Sequence, residues 1–155
     1  MEGFLYGVLL QWKLDLRNKG VILTYYIVPI IFFGFMSEIF TSIDPTAYKT
    51  LIPSMTVFGV SMGAIIGSPT SLVDIFRTDI KKSYTVGGIP LWTSLVNNFI
   101  SAFIHLFIMS IIIFFVAPMA FDATIPENIS LYFAILALFI FTSLSVGTVL
   151  GIIVE

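Results

Sequence analysis

Four residues on one face of an apolar stretch carry most of the chemistry open to this chain. Ser94, Asn98, Ser101 and His105 recur at i, i+4, i+7 and i+11, a helical spacing that aligns them as a single polar stripe. Such a stripe can line a path for a polar solute, or it can hydrogen-bond to neighbouring helices. The spacing alone leaves both open. His105 is the only histidine, so a proton relay through it needs an acidic partner, and Glu38 is the acidic candidate within a predicted span. Glu38 falls near the outer end of its span and His105 about midway along its own. That offset argues against direct pairing and for a Glu38 side chain that reaches the outer interface.

Other chemistry is thin. There is no cysteine, which removes disulfides, thiolate nucleophiles and Cys-ligated metals. No G-x-x-x-x-G-K-[ST] run occurs, so the chain should not bind ATP through a P-loop. With one histidine no H-E-x-x-H metal site can form, and G-x-S-x-G is absent. We therefore expect no catalytic, cofactor-binding or metal-ligating residue and no enzymatic activity in the chain itself. Asn128-Ile129-Ser130 matches a glycosylation sequon, but it abuts an apolar span and is discounted.

The polar stripe must be held by membrane helices. Of 155 residues 58% are hydrophobic and only 10% charged, and the mean hydropathy is +1.07, whereas soluble domains carry about 25% charged residues. The pattern predicts an all-α polytopic membrane protein, with spans over 21–40, 51–67 (short, but extendable to Leu72), 91–121 and 129–154. Each comes near or exceeds the roughly 20 residues that cross a bilayer, and Pro29 is expected to kink the first. Residues 1–20 read as an amphipathic helix lying in the interface. Phe4, Leu5, Val8, Leu9, Trp12 and Leu16 form its apolar side, while Gln11, Asp15 and Asn18 fall largely on the other. Trp12 would sit at headgroup depth, with Lys13, Arg17 and Lys19 toward lipid phosphates; a plain extension of the first span is the alternative. Gly59, Gly63 and Gly67 in the second span, and Ser143, Gly147 and Gly151 in the fourth, place small residues four apart. Such rows let helix backbones approach closely within a bundle, or form a hinge or dimer face.

Charge placement orients the chain. Lys13, Arg17, Lys19, Arg77, Lys81 and Lys82 lie on one side of the predicted spans and only Lys49 on the other. The positive-inside rule then puts the N-terminus and the 68–90 loop in the cytoplasm of a multi-pass plasma-membrane protein. That loop, SPTSLVDIFRTDIKKSYTVGGIP, is the longest polar interruption in the chain. Within it Val73, Phe76, Ile80 and Tyr84 step by three or four to give an apolar stripe, and Asp74, Arg77, Asp79, Lys81 and Lys82 surround it. A short helix of this kind suits docking into a groove on a partner, or lying on the membrane surface.

The order of these elements resembles the type-2 ATP-binding-cassette (ABC) transporter permeases, largely bacterial exporters. The likeness is strongest over DIFRTDIKKSYTVGGIPLWTSLVNNFISAF, where Asp79, Lys81, Lys82, Val86 and Pro90 occupy places similar to the family's acidic, basic, apolar and proline positions. The family's usual Glu-x-Gly-Thr run is replaced here by Asp79-Ile80-Lys81-Lys82. Its usual six spans compare with the four here, so the resemblance covers an N-terminal four-span portion. It implies a coupling helix over 72–84, with Val73, Asp74, Phe76, Arg77, Asp79, Ile80, Lys81 and Tyr84 against a separate ATPase subunit. It further implies that ATP and Mg bind on that partner, that a second permease copy or paralogue completes the transporter, and that lipid surrounds it. No nucleic-acid partner is expected.

Overall fold

The computed structural model describes residues 2–44, 46–77, 82, 86–88 and 90–153, without the side chains of 2, 3, 74–77 and 91. Among these residues the chain is all α-helical, and four helices are long and apolar enough to cross a membrane. Helix α1 spans Glu2–Arg17 and helix α2 Lys19–Ile43. Helix α3 joins Leu51–Met62, Gly63–Gly67 and Ser68–Arg77 without a break. Helix α4 is Leu91–Phe121 and helix α5 Ile129–Ile153.

Asn18 separates α1 from α2. Its backbone is extended, and its side chain accepts a hydrogen bond from the Gly20 amide at 2.9 Å, the geometry of a helix N-cap. The first span therefore starts at Lys19 and runs to Ile43, longer at both ends than the 21–40 read from hydropathy.

Proline governs the interior of α2 and α3. Proline at position p cannot donate to the carbonyl at p−4, and its ring clashes with that carbonyl. Both helices meet this with a widened π-turn just before an X-Pro pair: Leu23–Ile27 before Val28-Pro29, and Gly63–Gly67 before Ser68-Pro69. In α2 the Val28 amide reaches back to the Leu23 carbonyl, the five-residue spacing of a π-helix. In α3 the Thr70 hydroxyl donates to the Gly67 carbonyl at 2.8 Å, as Ser and Thr commonly do around a membrane proline. Ser68-Pro69 is thus helix interior, and the polar interruption expected from residue 68 does not begin there. The helix passes through it to Arg77.

Helices α3 and α4 form the centre. Their span windows are 56% and 44% buried, against 28% for α2 and 22% for α5, which offer most of their surface outward. The core joins Tyr25, Ile52, Val60, Leu106, Met109, Ile113, Ile140 and Leu144. The small-residue rows act as packing surfaces inside this single bundle. A Cβ on Gly59 would lie 2.9 Å from Met109 Cε and one on Gly67 2.9 Å from the Tyr25 ring, while Gly63 opens onto Leu106 and Tyr25. Gly147 meets the Ala64 carbonyl and Gly151 meets Pro69 and Leu72, so α5 seats on the π-turn of α3 and the helical turns after it. Ser143 is half-buried on α5.

At the end of the bundle away from α1, the Thr56 and Tyr132 hydroxyls bond at 3.0 Å, and the Thr124 amide donates to the Tyr48 carbonyl at 3.0 Å. Asp122 takes a left-handed conformation, φ 50°, that closes α4. Asn128 caps the start of α5 by accepting from the Leu131 amide.

Candidate functional site

All four residues of the polar stripe are buried on α4: Ser94, Asn98, Ser101 and His105. What they face was not legible as a partner in the sequence. Helix α1 packs across the same half of α4 with its polar side inward, so that Gly7 approaches Asn97 and Asp15 approaches Ser101. Leu5, Leu9, Leu10 and Leu14 are exposed, as are Lys13 and Arg17. Amphipathicity had placed Gln11 and Asp15 on the water-facing side of an interfacial helix. In the structure that face meets the protein, and the leucines turn outward.

Asp15 is only 8% exposed. Its Oδ1 accepts from Gln11 Nε2 at 2.9 Å, one helical turn away, and its Oδ2 accepts from the Ser101 hydroxyl at 2.5 Å. The same Oδ2 lies 4.0 Å from His105 Nε2, beyond hydrogen-bond reach but well within the range of strong charge coupling. The other imidazole nitrogen, Nδ1, shares a 2.7 Å hydrogen bond with the Tyr26 hydroxyl. Tyr25 stacks on the imidazole at 5.7 Å and 17°, Tyr26 meets it edge-on, and the Trp12 ring lies 6.4 Å away. Trp12 is therefore drawn against the bundle, with its indole N–H buried and without a partner. Among the described residues, His105 Nε2 is likewise buried and unpartnered. Beside Tyr25 a cleft of about 230 Å³ opens between Asn18 and Thr24 on one side and Thr70 and Ser71 on the other.

Glu38 takes no part in this cluster. It is exposed, and it lies twelve residues along α2 from Tyr26, roughly 18 Å at 1.5 Å per residue. The acidic neighbour of His105 is Asp15, supplied by a helix that precedes the first span.

Burial pushes the Asp15 carboxyl up from its ordinary value, and the hydrogen bonds from Ser101 and Gln11 pull it partly back. Ionisation is thus harder in the folded protein than in the unfolded chain. A raised carboxyl favours folding below the unfolded value, near 4, and loses that contribution as pH rises through the folded value. Asp15→Asn, which cannot ionise, should flatten this slope. The variant's melting temperature in detergent, measured relative to wild type, should rise from pH 4.5 to pH 7.5. A constant difference would contradict the burial cost.

The second candidate region is the end of α3. Val73 is half-buried, and Asp74, Phe76 and Arg77 lie on the last helical turns. Asp79, Ile80, Lys81 and Tyr84 lie outside the described residues, and of the expected 72–84 helix beyond Arg77 only Lys82 is described, as an exposed helical residue. Leu72, taken as its first residue, is buried against α5 beside Gly151.

Among the described residues, no group of three or more His, Cys, Asp or Glu side chains could hold a metal ion. Comparison with protein families, curated proteins and solved structures finds no match to this chain. The fold defines the class: an all-α, multi-pass membrane protein with four candidate spans.

Proposed function

We propose that this chain is the membrane-spanning permease subunit of an ABC exporter. Energy comes from a separate ATPase subunit that binds ATP and Mg, and the permease pairs with a second copy or a paralogue. Its place is the plasma membrane, with the N-terminus and the 68–90 loop in the cytoplasm, on the side where six of seven Lys and Arg residues fall. One observation carries this reading: α3 is continuous from Leu51 to Arg77. A partner that grips the charged segment from Asp74 onward grips the end of a membrane span. Force on that segment reaches the bundle centre through hydrogen-bonded helix, with no slack loop between. Resemblance over 74–103 to the type-2 permeases supplies the identity of the partner.

The test is subunit association. Phe76→Ala or Arg77→Glu should abolish co-purification with the cognate ATPase subunit, while membrane insertion and helix content stay at wild-type levels. Undiminished co-purification of both variants would sink the reading.

A further inference from the structure

We propose that Asp15 and His105 form a binding site for one exchangeable proton, and that its occupancy governs how firmly α1 is seated on α4. The inference stands apart from the transporter reading and needs no ATPase.

The geometry supplies the parts. Asp15 Oδ2 and His105 Nε2 face each other at 4.0 Å in a space where Nε2 has no other partner among the described residues. On the far side of the ring, Tyr26 can donate to Nδ1 at 2.7 Å, which leaves the Nε2 position to carry hydrogen toward the carboxylate. Ser101 and Gln11 hold the carboxylate in place. With Asp15 ionised and His105 neutral, the site holds one uncompensated negative charge away from water, a costly state. One proton from the aqueous phase, forming either an O–H bond on Asp15 or an N–H bond at His105 Nδ1 as the Tyr26 hydroxyl turns from donor to acceptor, brings the net charge to zero. No covalent bond breaks. Because the two groups are coupled, the midpoint belongs to the pair.

No other described group compensates this charge. On α1, Lys13 and Arg17 are exposed on the opposite side. Helix α2 presents Tyr25 and Tyr26. The described side chains of α3 include no ionisable group, and those of α5 only Tyr132, bonded to Thr56 toward the other end of the bundle. The burial that raises the Asp15 carboxyl acts in the same direction. When the proton leaves, the cheapest relief is water at Asp15, and water reaches it if α1 lifts from α4. Trp12 lies on the segment that would move.

Trp12 also reports on it. The chain has two tryptophans, and Trp92 is 61% exposed at the start of α4, so Trp92→Phe isolates Trp12. A charged imidazolium quenches a nearby indole, and exposure to water shifts its emission to the red. In phosphatidylcholine nanodiscs, titration of the Trp92→Phe protein from pH 4 to 9 should show a one-proton transition. Emission should move to the red as pH rises. Adding Asp15→Asn should lower the midpoint by about one pH unit or more, since it removes the opposite charge. Adding Ser101→Ala should raise it, since the lost hydrogen bond favoured the ionised carboxylate. His105→Gln should remove the quenching. Far-UV circular dichroism establishes folding, and if Asp15→Asn does not fold the single-hydroxyl Ser101→Ala variant decides. No transition, or a midpoint unmoved by either substitution, overturns the proton site; a transition without a red shift overturns the seating of α1.

Discussion

Gly147→Ala is expected to destabilise the bundle by about 3 kcal/mol, near the top of the usual range for overpacking a well-packed interior. The added Cβ would fall on the Ala64 carbonyl oxygen, which is backbone and has no rotamer to swing away. Ala64 sits in the π-turn of α3, where a carbonyl and a glycine Cα can approach as a weak C–H···O pair. Gly34→Ala is the matched control. Nothing lies within 4 Å of its Cβ, so it should be neutral or gain up to about 1 kcal/mol from helix propensity. Thermal melts of the two variants in one detergent test this directly. Equal melting temperatures would mean that α5 is not seated on α3 as described.

Leu72→Asp should be nearly as damaging, at several kcal/mol, because it places an unpaired carboxylate in an apolar contact. Leu72 is 1% exposed, and its Cδ1 lies 3.0 Å from where a Gly151 Cβ would be. Leu72→Met keeps the volume and should cost less than about 1.5 kcal/mol. The effect should be local to the end of the bundle near Arg77. Limited proteolysis should cut near residues 68–77 in the aspartate variant and spare them in the methionine variant. Cleavage in both, or in neither, would show that the C-terminal part of α3 does not depend on α5.

Much of this architecture was legible in the sequence because the bilayer imposes a length. Apolar runs at 91–121 and from 129 onward coincide with the helices Leu91–Phe121 and Ile129–Ile153. Both rest on long apolar runs that end at Asp122 and begin after Asn128. The second helix runs past Gly67, beyond even the allowed extension to Leu72, for a specific reason. Ser-Pro after a glycine reads as a stop signal, yet a π-turn lets the helix run through the proline. The partner of His105 was missed for another. Helical periodicity separates the two faces of α1 but does not say which one meets water. Beside a membrane bundle the outside can be the apolar side, so Asp15 and Gln11 point inward to Ser101 and His105. The polar stripe itself was visible. A tighter clue was available in Asp15, an acidic residue with a glutamine one turn before it in a segment otherwise rich in leucine.

The π-turn at Gly63–Gly67 has one more consequence, which concerns aim. An α-helix advances 100° and 1.5 Å per residue, and a π-turn takes up about one residue more than an α-turn. Every side chain beyond Gly67 is therefore set about 100° out of phase with a wheel drawn from Leu51–Met62. The direction in which Val73 faces relative to the bundle is chosen at Ala64, nine residues upstream. Removing a single residue from that turn would leave the span long enough to cross the bilayer. It would also rotate the C-terminal end of α3 by over a quarter of a revolution, as a compass needle is reset by turning its housing.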